Sequence, residues 1–276
     1  MFGAQILARK LRQVHRGDRC VAQHLRSELA AEAEPCFHFF VVRRSRRMKI
    51  LVLGASRGAG LACVSAAVAR GHTVTAVSCS SLSKVLPSST EGVSVRHIDA
   101  TDAPSLVSIL SGHDAVLVCV GSALPWWRAL FARNDTRERV TRAVVSAAAS
   151  VSSSSPGGID YSTPNTTGGP RLVVLSSLGA GASRAALPWL LRLILARALG
   201  DHTRQEAAVQ AGGVTYTILR APQLTDAPKN GREVVVGDGR PPKMSVSRAD
   251  VAEAMLNALE GPELLNKVAS VCSLPA

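Results

Sequence analysis

The chain has 276 residues, 46% of them hydrophobic and only 4% aromatic, with a formal charge of +12. That length suits one large α/β domain, and the aliphatic bias suits a parallel sheet covered by helices on both faces. No apolar run reaches the roughly 18 residues of a membrane-spanning helix, so no span is expected. Beyond residue 47 the basic surplus is scattered, without aromatic interleaving or a recognition module, which argues against nucleic-acid binding.

Residues 1–47 carry ten Lys/Arg against four Asp/Glu. Gln5–His15 has the spacing of a basic amphipathic helix, with Arg9, Lys10, Arg12 and Arg16 on or near it. This leader reads either as an organelle transit peptide, implying a mitochondrial protein, or as an extension without a fold of its own, leaving a cytoplasmic one. A folded domain over 48–276 then opens at Met48. Ile50–Leu53 is a continuous apolar run suited to a strand buried on both faces. Gly58–Arg70 has helical spacing and stops at Gly71, a good C-cap. Strands follow at Val74–Val77 and Val93–Ile98, then a short helix at Ala103–Leu110 and a strand at Ala115–Val120. Ala129–Ser150 reads as a long helix. Residues 150–170 are rich in Ser, Gly, Pro and Thr and read as a flexible loop. Leu172–Leu175 is a fifth strand, Leu187–Ala211 helical, Tyr216–Leu219 a sixth strand and Val234–Val236 a short one. Ser247-Arg248-Ala249-Asp250 caps a helix running to about Leu259. This alternation predicts a doubly wound parallel sheet in a single domain, with a small C-terminal substrate-side region.

Cysteines stand at 20, 36, 63, 79, 119 and 272 with no C-x-x-C pair and no histidine at zinc spacing. They read as free thiols in a reducing compartment, several buried, and no metal site is expected.

Gly54-Ala55-Ser56-Arg57-Gly58-Ala59-Gly60 directly follows the first strand and opens the first helix. One glycine permits the tight turn, one lets backbone approach a pyrophosphate, and one allows close packing of helix on sheet. Amides at the positive helix end then hold phosphates, so the domain is expected to be Rossmann-type and to bind a nicotinamide dinucleotide. An NAD-preferring site places Asp or Glu at the end of the second strand to bind ribose hydroxyls. Here no acidic residue lies between Gly60 and Glu91. The segment Val77-Ser78-Cys79-Ser80-Ser81, followed by Lys84, offers hydroxyls and a cation. With Arg57 in the loop, Ser78 and Ser80 suit a 2′-phosphate, and NADP(H) is the expected cofactor. Asp99-Ala100 ends the third strand, where a carboxylate can accept from an adenine amino group or serve a local turn. Val120-Gly121-Ser122 ends the fourth, with Gly121 allowing close passage of the backbone past the cofactor.

Together these residues resemble the short-chain dehydrogenase/reductase superfamily on its atypical side. Within it they are most similar to the NAD(P)H-binding, NmrA-like group that includes flavin/biliverdin-IXβ reductase. Besides the G-x-x-x-G-x-G loop, the resemblance is carried by Val74-Thr75-Ala76-Val77, Ile98-Asp99-Ala100-Thr101, Leu172-Val173-Val174-Leu175-Ser176-Ser177 and Asp201-His202-Thr203-Arg204-Gln205-Glu206. Tyr216-Thr217-Ile218-Leu219-Arg220-Ala221-Pro222 and Ser247-Arg248-Ala249-Asp250-Val251-Ala252 complete it. The superfamily's Tyr-x-x-x-Lys pair is absent: Asn165 follows Tyr161 at that spacing, and Arg220 follows Tyr216. The resemblance implies Ser177 as the active-site serine, with Ser176 beside it, and His202 near the cofactor. A histidine titrating near neutrality can donate a proton or bind an anionic group. Pro125-Trp126-Trp127 could wall a planar substrate or pack in the core.

The expected activity is hydride transfer from NADPH to a planar conjugated small molecule such as a flavin, quinone or polycyclic aromatic metabolite, by a monomer or homodimer. The alternative is an NADP-binding regulatory protein of NmrA-like type without turnover. A third reading is an isomerase or dehydratase that uses bound cofactor transiently.

Overall fold

The structure, a computed structural model, describes residues 47–78, 91–121, 135–153, 169–229 and 244–273, together with the short strands at 37–38 and 233–236. The chain divides into two units, Met1–Phe37 and His38–Ala276. The α/β fold belongs to the second unit. Most of the basic leader (1–36 and 39–46), with Ser80, Ser122, Trp126, Trp127 and Tyr161, lies outside the described residues.

In chain order the elements are β1 (Lys49–Leu53), α1 (Gly58–Ala69), β2 (Thr73–Ser78), β3 (Val93–His97), α2 (Ala103–Leu110), β4 (Ala115–Val118) and α3 (Thr136–Ser153). They continue with β5 (Arg171–Ser177), a 3-10 turn (Gly181–Ala186), α4 (Trp189–Ile194), α5 (Ala196–Gln210), β6 (Tyr216–Ala221) and β7 (Gln223–Thr225). Last come β8 (Glu233–Val236), β9 (Ser245–Ser247), α6 (Arg248–Glu260) and β10 (Lys267–Ser273). The main sheet includes the order β3-β2-β1-β4-β5-β6-β10-β8, all parallel up to β10, with β8 antiparallel to β10. This is the doubly wound Rossmann order, extended by β10. A separate parallel pair joins β7 to β9. Among the described residues no helix is long and apolar enough to cross a membrane.

The apolar strand runs are explained by burial on both faces. Ile50 and Val52 point into one core with Cys63, Val64, Ala67, Val251 and Met255 from α1 and α6. Leu51 and Leu53 point into the other, with Leu106, Leu110, Val140, Val144 and Val209 from α2, α3 and α5. Alternate side chains of one strand thus feed two cores, which is why the strand shows no polar face.

Helix ends follow local chemistry. Asp102 caps α2 by accepting from Ser105 N. Ser247 caps α6 by accepting from Asp250 N at 3.0 Å, and its hydroxyl donates to the Asp250 carboxylate at 2.8 Å. Gly71, at φ +81°, turns the chain out of α1. The buried His72 accepts from Met48 N and meets Glu260 at 3.1 Å, while Arg70 pairs with Glu253 and Glu260. Together these contacts lock α1 to α6. Arg171 donates to the carbonyls of Leu259 and Gly261, satisfying the end of α6; burial pulls its guanidinium down to about 10.

The structure departs from the sequence reading in four places. The expected helix Leu187–Ala211 is broken: Leu195 sits at φ −93°, ψ 6°, separating α4 from α5. The break lets Leu187 and Leu199 bury against Leu178 while α4 projects outward. The long helix runs to Ser153, past the expected end at Ser150; most of the segment expected as a loop, 154–168, lies outside the described residues. β10 was not expected, yet Val271 and Cys272 are fully buried in it. The β7–β9 pair was not expected either. Ser247→Ala removes the α6 cap and should lower unfolding free energy by about 1–2 kcal/mol in urea titrations. An unchanged midpoint would show that the cap contributes nothing.

Candidate cofactor site

The carboxyl ends of β1, β2, β3 and β4 lie side by side, in a register where Leu53 meets Val77 and Val118, and Ser78 meets His97. The glycine loop therefore stands at the point where strand order reverses, between β1 and β4. Its amides are organised by one carbonyl: Gly54 N and Ala55 N both donate to Val77 O, at 3.0 and 3.1 Å. Gly54 has φ +82°, and a Cβ there would lie 2.6 Å from the Cys119 carbonyl oxygen. A Cβ on Gly60 would overlap the Gly54 carbonyl itself. The two glycines thus bring three stretches of backbone into contact, and no larger residue fits either place.

α1 differs from α2 and α6 at its start. Its N-cap, Arg57, makes no side-chain capping hydrogen bond, and its first turn holds no acidic residue. The first-turn amides of Gly58, Ala59 and Gly60 are those a helix cannot satisfy from within. The cradle, without side chains and with a positive helix end, fits a diphosphate. Ser56 is half-buried and Arg57 exposed on its rim. Ser78 is buried at the end of β2. Val120 is half-buried and Gly121 exposed just past β4, with open space where a Gly121 Cβ would stand.

Asp99 takes a local role. One carboxylate oxygen accepts from Thr101 N at 2.9 Å and from Thr101 Oγ1 at 2.7 Å. Those two bonds hold its pKa below the ordinary carboxylate value. Ala100 follows, half-buried. Beneath the cradle Cys63 Sγ, Cys119 Sγ and Met255 Sδ pack within 3.7–3.8 Å of one another. The bond to Cys119 and burial push the Cys63 thiol well above its ordinary value, so it packs as a small neutral hydrophobe.

One charged side chain beside the cradle escaped the sequence reading. Arg248, the first residue of α6, places Nε 3.4 Å from where a Gly58 Cβ would be, and its Nη1 donates to the exposed Asp226 at 2.6 Å. Its guanidinium thus flanks the phosphate cradle. The sequence signal was the Ser247-Arg248-Ala249-Asp250 run, in which only the cap was read.

The three catalytic candidates have different surroundings. Ser176 is buried and its Oγ donates to Glu206 at 2.6 Å. Glu206 in turn pairs with Arg220 through two bonds of 3.0 and 2.8 Å. Gly181 lies over that pair, leaving no room for a side chain. Ser176 is therefore committed to a buried network linking β5, α5 and β6. Ser177, at the last position of β5, is half-buried with its hydroxyl donating to Leu178 O at 3.2 Å. His202 does not titrate near neutrality. Burial and the nearby Arg137 pull its pKa down to about 3, against a weaker opposing bond between Nδ1 and Gln205 Oε1. The rest of the Asp201–Glu206 run is structural. Asp201 accepts from Arg137 and from Glu138 N, and Gln205 donates to Thr141.

A glycine cradle at a β1–β4 switch point, an uncapped helix start and a doubly wound parallel sheet define a dinucleotide-binding Rossmann domain. The sequence profile of the NAD(P)H-binding family matches residues 54–155 and 161–262, and the chain belongs to that family. Solved structures of the same fold include ChuY, an anaerobillin reductase from Escherichia coli O157:H7. The two are 23% identical over 83% of this chain and 100% of that one, with a TM-score of 0.64. The oxidoreductase ylbE from Lactococcus lactis is 15% identical over 83% and 92%, with a TM-score of 0.65. A wide-type short-chain dehydrogenase/reductase from Veillonella parvula, solved in complex with NADP, is 15% identical over 84% and 96%, with a TM-score of 0.63.

Gly60→Ala should abolish binding of reduced nicotinamide dinucleotide in calorimetry, since the new methyl collides with the Gly54 carbonyl; retained affinity would contradict the cradle. For His202 the folded pKa lies below the unfolded one, so the unfolded chain binds more protons between about 3 and 6.5. Stability should therefore fall as pH drops through that window, and His202→Asn should flatten part of the fall. Parallel urea midpoints for wild type and variant across acidic pH would show the reverse if the imidazole were charged in the fold.

Proposed function

We propose that the chain is an NADPH-dependent oxidoreductase whose second substrate is a planar conjugated acceptor. The observation that carries this reading is the uncapped, acid-free start of α1 beside a β2 end that bears Ser78 and no carboxylate among the described residues. An acid at that place would repel a 2′-phosphate; Arg57 on the rim favours one. When bound, the nicotinamide supplies the hydride. The protein's part is to hold and orient. The amides of α1 and Arg248 grip the phosphates, and Val120 and Gly121 border the cofactor path. Ser177, at the sheet's carboxyl edge, orients the acceptor through its hydroxyl. Neutral His202 serves as a positioning residue, not as an acid. The fold shared with an anaerobillin reductase supports an extended planar acceptor, as does a site with no Tyr-x-x-x-Lys donor.

A regulatory protein that binds NADP without turnover is the second reading. It is favoured by one observation: Ser176 and His202 direct polar atoms to Glu206 and Gln205.

Both readings are tested by following reduced-nicotinamide absorbance with a flavin, a quinone and a linear tetrapyrrole. Acceptor-dependent loss with NADPH supports the enzyme; tight binding without loss for any acceptor supports the sensor. Arg57→Ala should weaken NADPH roughly 10- to 150-fold while sparing NADH, the equivalent of about 1.5–3 kcal/mol for one charged hydrogen bond. Equal weakening of both would remove the 2′-phosphate assignment.

A further inference from the structure

Large apolar side chains are buried through most of the described fold. The exposed ones all lie on α4: Trp189 at 69%, Leu190 at 51%, Leu191 at 41%, Leu193 at 69% and Ile194 at 45%. None of the six residues of this helix is buried. Its exposure is not fraying. On the N-terminal side Leu187 is buried with Leu178 and Leu199, and on the C-terminal side Leu195 packs against the same cluster. Backbone bonds from Arg192 N to Pro188 O and from Leu195 N to Leu191 O, both 2.9–3.0 Å, close the turn between them. The fold holds an apolar knob outward by both ends. A contiguous patch of this kind marks a surface that something covers.

Charge identifies the cover. No Asp or Glu occurs from Arg171 to Gly200. Arg184 in the preceding turn and Arg197 at the start of α5 are exposed, and Arg192 within α4 is half-exposed. A second copy of the chain meeting this face about a twofold axis would set arginine against arginine around the apolar centre. An apolar protein groove accounts for the leucines but not for the arginines that flank them. Leucine and tryptophan flanked by arginine, with the ring and guanidinium groups at the water boundary, is the composition of an interfacial membrane anchor. We propose that α4 docks the protein on the surface of an anionic lipid bilayer, with Trp189, Leu190, Leu193 and Ile194 entering the acyl boundary and Arg184 and Arg192 meeting lipid phosphates.

α4 follows the carboxyl end of β5 through one 3-10 turn. Docking therefore brings the edge of the sheet that carries the cofactor site close to the lipid. The inference stands apart from the proposed reaction, because vesicle binding is read without cofactor or acceptor.

The test uses the full chain with vesicles of phosphatidylcholine alone and of phosphatidylcholine mixed with phosphatidylserine. Expected are co-sedimentation with the mixed vesicles only, weakening as salt rises, and quenching of Trp189 by brominated lipid, read as the difference from Trp189→Phe. Leu190→Ser/Leu193→Ser should cut partitioning on the order of a hundredfold, and Arg184→Glu/Arg192→Glu should remove the phosphatidylserine dependence. These exposed positions leave the cofactor cradle untouched, so unchanged NADPH affinity verifies that the variants are folded. Three results overturn the proposal. One is no binding to either vesicle. Another is binding that survives the leucine substitutions, which assigns it to the basic first 47 residues. The third is a dimer in light scattering that the same substitutions dissolve.

Discussion

Everything in the site depends on a contact between backbones. Gly54 leaves β1 with φ +82° against the carbonyl of Cys119, and Gly60 rests on the carbonyl of Gly54. This approach draws the start of α1 onto the ends of β1 and β4 and exposes its first amides together at the switch point. The starts of α2 and α6 are completed from within the chain, by Asp102 and by Ser247. The start of α1 is left to water or to a ligand's oxygens, and an unmade bond to a buried donor costs roughly 1–3 kcal/mol. What sets α1 apart is its place: its uncapped first turn stands at the switch point, on the glycine backbone contacts, where a ligand's oxygens can reach it.

The run Asp201-His202-Thr203-Arg204-Gln205-Glu206 shows how polar residues near a site can serve the fold. Asp201 fastens α5 to the start of α3, Thr203 accepts from Gly181 N, and Glu206 fastens α5 to β5 and β6. Glu206, Arg220 and Ser176 are all nearly inaccessible to water. Removing one member of such a buried pair leaves the other charged and unpaired, at a cost of about 3–5 kcal/mol. That network fixes the end of β5. Ser177 is the next residue, so the network sets where its hydroxyl stands without taking part in chemistry itself.

The legible part of this protein is the part governed by local rules. The β1 run, the glycine spacing, the Gly71 stop and the Ser247 cap each depend on residues a few positions apart, and the sequence displays them directly. What depends on long-range pairing was not legible. Ser176 meets Glu206, which meets Arg220, and nothing in the separate segments announces the three as partners. The lowered pKa of His202 arises from desolvation and from Arg137 on α3, partners that its own segment does not display. β10 was hidden for another reason. Its strand character rests on pairing with β6, reached through a turn in which Asn266 takes φ 54° and exchanges bonds with Tyr216. A short alternation of Val, Ala and Ser carries little signal of its own.

Arg248 connects these levels. Its place beside Gly58 follows from where α6 begins, and α6 begins where Ser247 and Asp250 cap it. The axis of α6 is in turn held against α1 by Met255 and Val251 in the core and by Arg70 and His72 at the far end. A cation fixed in this way is pre-positioned, so little side-chain entropy remains to be lost when a phosphate arrives. Asp226 holds the same guanidinium from outside, where water screens the pair and makes it weak. A diphosphate offers stronger, charge-assisted bonds to that group than an exposed carboxylate can. The ion pair keeps Arg248 near the cradle, and on the proposed reading it would yield the guanidinium to a bound diphosphate, tying the packing of two helices to the grip on the ligand.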